Sequence, residues 1–175
     1  MLRYALIQSG QGSAVPTSDA QYTCEARPSR DKRSYNVHFK GVFLLTQSLL
    51  PLINDGGRIV NVSTGLTRFV APGSAAYASM KGAVEILTRY QAKELGARGI
   101  TVNTVAPGAM ATDFSGGMVR DNPELHQRVS EMTALGRVEQ PDDIGPVIAT
   151  RPSDGNRWIN ASLRRWRSSA WLSRG

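Results

Sequence analysis

Two short β-branched runs separated by a long helical segment constrain this chain more than any other feature. Ile59-Val-Asn-Val62 and Ile100-Thr-Val-Asn-Thr-Val105 have the composition of strands buried on both faces. Between them, residues 75–95 read as one long helix, with Gly96 and Gly99 as stops. Strand, helix and strand of these lengths make a βαβ unit, which implies a parallel pair joined by a right-handed crossover. A second apolar helix is expected over 36–53, from Val37, Phe39, Val42, Phe43, Leu45, Leu49 and Leu50, with Gly56-Gly57 turning into the first strand. Residues 112–131 read as a loop with a short helix, and another helix starts at Asp142 behind Pro141. Residues 1–35, broken by Gly10, Gly12, Pro16 and Pro28, read as an irregular lead-in.

Chemistry-bearing residues gather where parallel sheets hold their ligands, at the C-terminal ends of the strands. Ser63 and Thr64 follow the first strand, and the turn from Pro107 to Thr112 follows the second. On the helix between them, Tyr77 and Lys81 stand four residues apart and share one face. A free tyrosine, with a pKa of about 10, keeps its proton at neutral pH. An ammonium group close by favours the phenolate and lowers that value. Such a pair can exchange a proton with an alcohol or its ketone. A hydroxyl at 63 or 64 can hydrogen-bond the substrate oxygen, and the 107–112 turn, with the Thr112 hydroxyl, can bind an amide. Each feature also has a plain structural reading: a helix-surface pair, an ST-turn, a strand-ending turn. Their convergence at the ends of adjacent strands favours a site.

The whole-chain charge of +7 hides a balanced body. Residues 36–150 hold ten Lys/Arg and ten Asp/Glu, while 151–175 hold six arginines against one aspartate. A nucleic-acid binder carries its charge on a folded face, so a small-molecule protein is expected. With Cys24 as the single cysteine, an internal disulfide and a cysteine-based zinc site are excluded. No run of about 18 apolar residues suggests a membrane span. The first ten residues do not read as a secretory signal, so a cytoplasmic setting is expected.

Seven stretches, in order, resemble the short-chain dehydrogenase/reductase family. They are Asn-Val-His-Phe-Lys-Gly-Val-Phe (36–43), Gly-Arg-Ile-Val-Asn-Val-Ser-Thr (57–64), Ala-Tyr-Ala-Ser-Met-Lys-Gly-Ala-Val (76–84), Ile-Thr-Val-Asn-Thr-Val-Ala-Pro-Gly (100–108), Gly-Arg-Val (136–138), Pro-Asp-Asp-Ile (141–144) and Ser-Asp-Gly-Asn-Arg-Trp-Ile (153–159). The resemblance implies a partial Rossmann-like, doubly wound parallel sheet and an NAD- or NADP-dependent oxidoreductase acting on a small alcohol or carbonyl compound. By resemblance, Tyr77 exchanges the proton. Lys81 binds the nicotinamide ribose and lowers the tyrosine pKa. The loop containing Pro107, Gly108, Met110 and Thr112 holds the nicotinamide carboxamide. Helices 36–53 and 75–95 are expected to pair with a second subunit.

The chain departs from the family pattern at several points. The family serine, thirteen residues before the tyrosine, is Thr64 here, with Ser63 one step earlier. The position of the family's helix asparagine, three residues before Gly41, is His38, and Asn36 lies nearby on another face. No stretch fits the glycine-rich phosphate loop, since Gly10-Gln-Gly12 lacks a third glycine and a following helix. The cofactor half is therefore expected to be truncated, leaving a catalytic half over 36–160 whose two strands form a marginal sheet with two bare edges. Residues 161–175, rich in Arg, Trp and Ser, form a basic tail where the family's final strand is expected. Two functions follow: the oxidoreductase itself, or a catalytically inactive relic that pairs with another subunit. A serine hydrolase is excluded, because Asn61-Val-Ser-Thr-Gly65 lacks the first glycine of the nucleophile elbow.

Overall fold

The computed structural model describes residues 2–7, 28–150, 159–161 and 163–165. Four parallel strands form one sheet in the order β1 (Leu2–Ile7), β2 (Ile53–Val62), β3 (Thr101–Ala106) and β4 (Leu163–Arg165). The lead-in is thus not wholly irregular. Leu2–Ile7 lies against β2, with Ala5 opposite Ile59 and Ile7 opposite Asn61. Six residues are too short a run to announce a strand, and its pairing partner lies some fifty residues downstream. The expected two-stranded sheet is corrected to four strands.

The tail is corrected likewise, since Leu163–Arg165 pairs with Thr104–Ala106. Asn160 guides it there. Its Oδ1 accepts from the Val102 amide at 2.9 Å, and the Ala161 amide donates to the Val102 carbonyl at 2.9 Å.

The helix expected from residue 36 begins earlier. α1 (Pro28–Tyr35) runs into a π turn at Asn36–Lys40, then α2 (Gly41–Leu49) and a 3₁₀ turn at Leu50–Leu52. The backbone at Tyr35 and Lys40 stays right-handed helical, so the segments follow one another directly. β2 starts at Ile53 and carries Gly56-Gly57 inside it as an irregularity, not as a separate turn. Arg98 closes this corner, donating to the carbonyls of Leu50 at 3.3 Å and Ile53 at 2.5 Å and to Asp55 at 2.7 Å.

α3 (Ala75–Glu94) then crosses to β3. Beyond β3 lie a 3₁₀ turn at Phe114–Gly117, α4 (Met118–Asp121), α5 (Pro123–Met132) and α6 (Pro141–Thr150), so 112–131 holds more helix than expected.

Alternation along the strands divides the core between the two faces of the sheet. Ile59 and Val102, both fully buried, pack with Val42, Ile53, Val84, Ala92 and Ile100 under α2 and α3. Val60 and Val105 point the other way and pack with Ile144 of α6. The same parity turns Asn61 toward α3, where its Nδ2 donates to Thr88 Oγ1 at 2.8 Å and Gln91 Oε1 at 3.1 Å. No helix among the described residues is long and apolar enough to cross a membrane.

Candidate active site

α3 delivers its functional groups as one row. Tyr77, Lys81 and Glu85 are spaced by four, so they stack on the face turned to the end of β2. Lys81 is 4% exposed, and its Nζ donates to the Val62 carbonyl at 2.9 Å and lies 5.9 Å from the Tyr77 ring centre. Burial pushes its pKa down to about 8. The Thr64 side chain stands near the Tyr77 hydroxyl. Burial pushes the phenol up to about 12, against the smaller downward pull of Thr64. Desolvation of the phenolate dominates the Tyr77 value, and the Lys81 ammonium gives one N–H to the Val62 carbonyl.

His38 stands in the π turn, and its ring meets the Tyr77 ring edge-on, with centres 4.9 Å apart. Burial, aided by the charge on Lys81, holds its pKa down at about 4, so the imidazole is neutral at pH 7. Its Nδ1 is buried without a partner among the described residues. Asn36 is exposed, as its different helix face predicts. π turns inside α-helices recur at functional sites, and here the turn carries the histidine that touches Tyr77. Phe114 closes the other side of the Tyr77 ring at 5.8 Å.

The loops that end β2 and β3 are stitched together. The Ser63 amide donates to Val105 O at 2.8 Å, and the Gly65 amide to Pro107 O at 2.9 Å. A Cβ on Gly65 would sit 2.9 Å from the Phe69 ring, so a side chain there would have to displace that ring. Within the second loop, the Gly108 amide donates to Glu139 Oε2 at 3.1 Å, and the Ala111 amide to Glu139 O at 2.9 Å. The Thr112 hydroxyl accepts from the Phe114 amide at 3.2 Å, which leaves its own proton to give. Met110 packs on the Val60, Val105 and Ile144 cluster, so it serves the loop through its backbone.

The two hydroxyls after β2 separate clearly. Ser63 faces α3, where its Oγ contacts Glu85 Oε1 at 2.8 Å and the Lys81 carbonyl at 3.2 Å. Thr64 faces Tyr77. Sequence reading missed Glu85, Thr67 and Glu139. The spacing of Glu85, eight residues after Tyr77 and four after Lys81, was the available signal.

With this geometry in place, comparison with known proteins becomes informative. Residues 15–163 match a family model described as enoyl-(acyl carrier protein) reductase. An Arabidopsis thaliana NADPH-dependent aldehyde reductase-like protein is 36% identical over 134 residues, 74% of this chain and 48% of that one. A Picea abies short-chain type dehydrogenase/reductase is 36% identical over 153 residues, 85% of this chain and 55% of that one. Among solved structures, the reductase LugOII, which catalyses keto-reduction in lugdunomycin biosynthesis, superposes with a TM-score of 0.79 at 37% identity, covering 93% of this chain and 61% of that one. The angucycline C-6 ketoreductase LanV with bound NADP gives 0.79 at 32% identity, covering 93% and 60%.

The fold and these matches define a Rossmann-type class of protein. Within that class, the chain belongs to the short-chain dehydrogenase/reductase family. It spans about half the length of the curated relatives it matches.

Proposed function

We propose that this chain carries the catalytic half of an NAD(P)-dependent oxidoreductase that interconverts a small alcohol and its carbonyl compound. The observation that supports this most is the meeting of Tyr77, Lys81 and Thr64 at the C-terminal end of β2. The raised Tyr77 pKa keeps its proton on Oη at neutral pH, ready for transfer to a carbonyl oxygen as that oxygen gains charge. Thr64, beside the same hydroxyl, is the group that aligns the substrate oxygen, while Ser63 is taken up by Glu85. His38 packs its neutral ring edge-on to Tyr77 and fixes the phenol's orientation.

The residues fit the nicotinamide end of a dinucleotide. Lys81 gives one of its three N–H donors to Val62 O, and the others are uncommitted among the described residues, suiting a ribose hydroxyl. Pro107, Gly108, Met110 and Thr112 form a braced loop beside it, with the Thr112 proton free to meet a carboxamide. When bound, the nicotinamide supplies or accepts the hydride. Gly10-Gln-Gly12, the only glycine pair in the lead-in, lies outside the described residues.

Calorimetric titration with NADH and NADPH tests this reading. Saturable binding tighter than about 100 μM, or roughly −5.5 kcal/mol, is expected for one of them. In the loaded protein, Tyr77→Phe should leave that binding in place while lowering turnover of carbonyl substrates by roughly 10²- to 10⁴-fold. Absence of binding at millimolar cofactor would overturn it.

A second reading, an inactive subunit that pairs with another copy, rests on α2 and α3. Phe43, Leu44, Leu45, Ile86 and Tyr90 all stand 42% or more exposed there.

A further inference from the structure

The buried carboxyl of Glu85 takes no part in the chemistry described above, yet three side chains from the mouth of the site converge on it. Its Oε1 accepts from the Ser63 hydroxyl at 2.8 Å and the Thr67 hydroxyl at 2.6 Å, and its Oε2 pairs with Arg68 at 2.8 Å. Thr67 Oγ1 also lies 3.0 Å from the Thr64 carbonyl, and Thr64 Oγ1 accepts from the Leu66 amide at 3.4 Å. Thr64 itself is extended, at φ −152° and ψ 153°, and is followed at once by the 3₁₀ turn Gly65–Thr67. The residue that touches Tyr77 is therefore flanked on both sides by hydroxyls held by one carboxyl.

That carboxyl sits one helical turn beyond Lys81 and two beyond Tyr77. The Ser63 hydroxyl spans the same gap, reaching the Lys81 carbonyl at 3.2 Å. A strand end and a turn would otherwise meet α3 through side chains free to rotate. A carboxylate is acceptor-only and draws both hydroxyl protons toward itself, which sets the rotamers of Ser63 and Thr67 and the path of Thr64 between them.

We propose that Glu85 is a positioning residue: it locks the 63–68 segment onto α3 and so sets where the Thr64 hydroxyl stands beside Tyr77. The proposal rests on the assignment of Tyr77 as proton donor and Thr64 as the group that aligns the substrate oxygen, but its test needs neither cofactor nor substrate.

The test is NMR of the full chain labelled with ¹³Cζ-tyrosine. Its five tyrosines give few signals, and Tyr77 is assigned by the loss of one in Tyr77→Phe. The Cζ shift follows the hydrogen bonding of the phenol oxygen. Thr64→Val, which removes the hydroxyl beside Tyr77, defines the shifted position. Glu85→Ala is expected to move the Tyr77 signal in the same direction, and Glu85→Ala with Thr64→Val no further than Thr64→Val alone. Glu85→Gln, which still accepts from Ser63 and Thr67, is expected to bring the signal back to its original place.

Trypsin supplies a second reading, with cleavage after Arg68 faster in Glu85→Ala and not in Glu85→Gln. If Glu85→Ala fails to fold, Thr67→Val cuts one link outside the core and is expected to move the signal the same way. A Tyr77 signal that moves in Thr64→Val but stays in place in Glu85→Ala, or in Thr67→Val, overturns the proposal. Failure to bind NADH or NADPH leaves this experiment intact and counts against the functional reading alone.

Discussion

At the scale of single residues, the site conflicts with stability. An ionised Lys81 is held in a buried position with its pKa pushed down to about 8. At about 1.4 kcal/mol per tenfold change in proton affinity, that costs on the order of 3 kcal/mol. The penalty is fully present below pH 8. It is relieved as pH climbs from about 8 toward the unfolded lysine value near 10.4, where the unfolded chain alone still holds the proton. Lys81→Met is therefore expected to raise stability at pH 7 by about 1 to 2 kcal/mol, after loss of the bond to Val62 O, with the gain shrinking by pH 10. Urea melts at the two pH values measure this.

Glu139 has the opposite charge type and the same conflict. Burial raises its carboxyl pKa, with Asp143 adding to the rise while the Gly108 amide and Arg137 oppose it. A carboxyl with a raised folded pKa binds its proton more tightly when folded, so stability is lost as pH rises above the unfolded value of roughly 4.3. Glu139→Gln should match the original chain at acid pH and exceed it at pH 8. A variant that is less stable at both pH values would contradict the assignment.

Among the elements, α3 and β3 were the easiest to read from sequence, because their signals are local. Ile100 to Val105 is β-branched at every position but Asn103, and Gly99 at φ 65° ends the helical segment with the conformation a stop glycine supplies. β1 was missed because Leu2–Ile7 is short and its reason for being a strand is β2, far along the chain. The π turn at Asn36–Lys40 leaves no mark in an apolar pattern, although counting back from Gly41 did find His38. Tyr77, Lys81 and Thr64 were legible from spacing. The thirteen-residue spacing to Tyr77 favoured Thr64 over Ser63, but it could not show that the Ser63 hydroxyl turns to Glu85 on α3.

The seating of α3 on the sheet is polar as well as apolar. Thr88 Oγ1 accepts from Asn61 and from Thr104 at 2.7 Å, and lies 2.9 Å from the Val84 carbonyl. Thr88→Val keeps the shape but strips two buried donors of an acceptor, so a loss of about 1 to 3 kcal/mol is expected. A thermal melt that does not move would show that the network relaxes onto Gln91.

For the whole molecule, the exposed apolar faces of α2 and α3 dominate. Phe43, Leu44 and Leu45 are consecutive and all exposed, and Tyr90 on α3 is 64% exposed. Such a surface favours self-association, and a chain that associates through it has a melting temperature that rises with protein concentration. Leu44→Glu together with Tyr90→Glu should abolish that dependence and shift sedimentation to the monomer. The mean hydropathy of the chain, −0.27, gives no hint of this patch, which arises from how two helices are placed.

The four strands lie across the sheet in the same order in which they occur along the chain. During synthesis each strand therefore emerges to find its neighbour already made, and no later strand must insert between two earlier ones. Assembly can grow from β1 toward β4, each new strand pairing with the free edge of the one before it. The shift between Leu2 and Tyr4, opposite the Gly56-Gly57 stretch of β2, therefore concerns the first pairing alone, and the regular β2–β3 register beside the site is set independently of it.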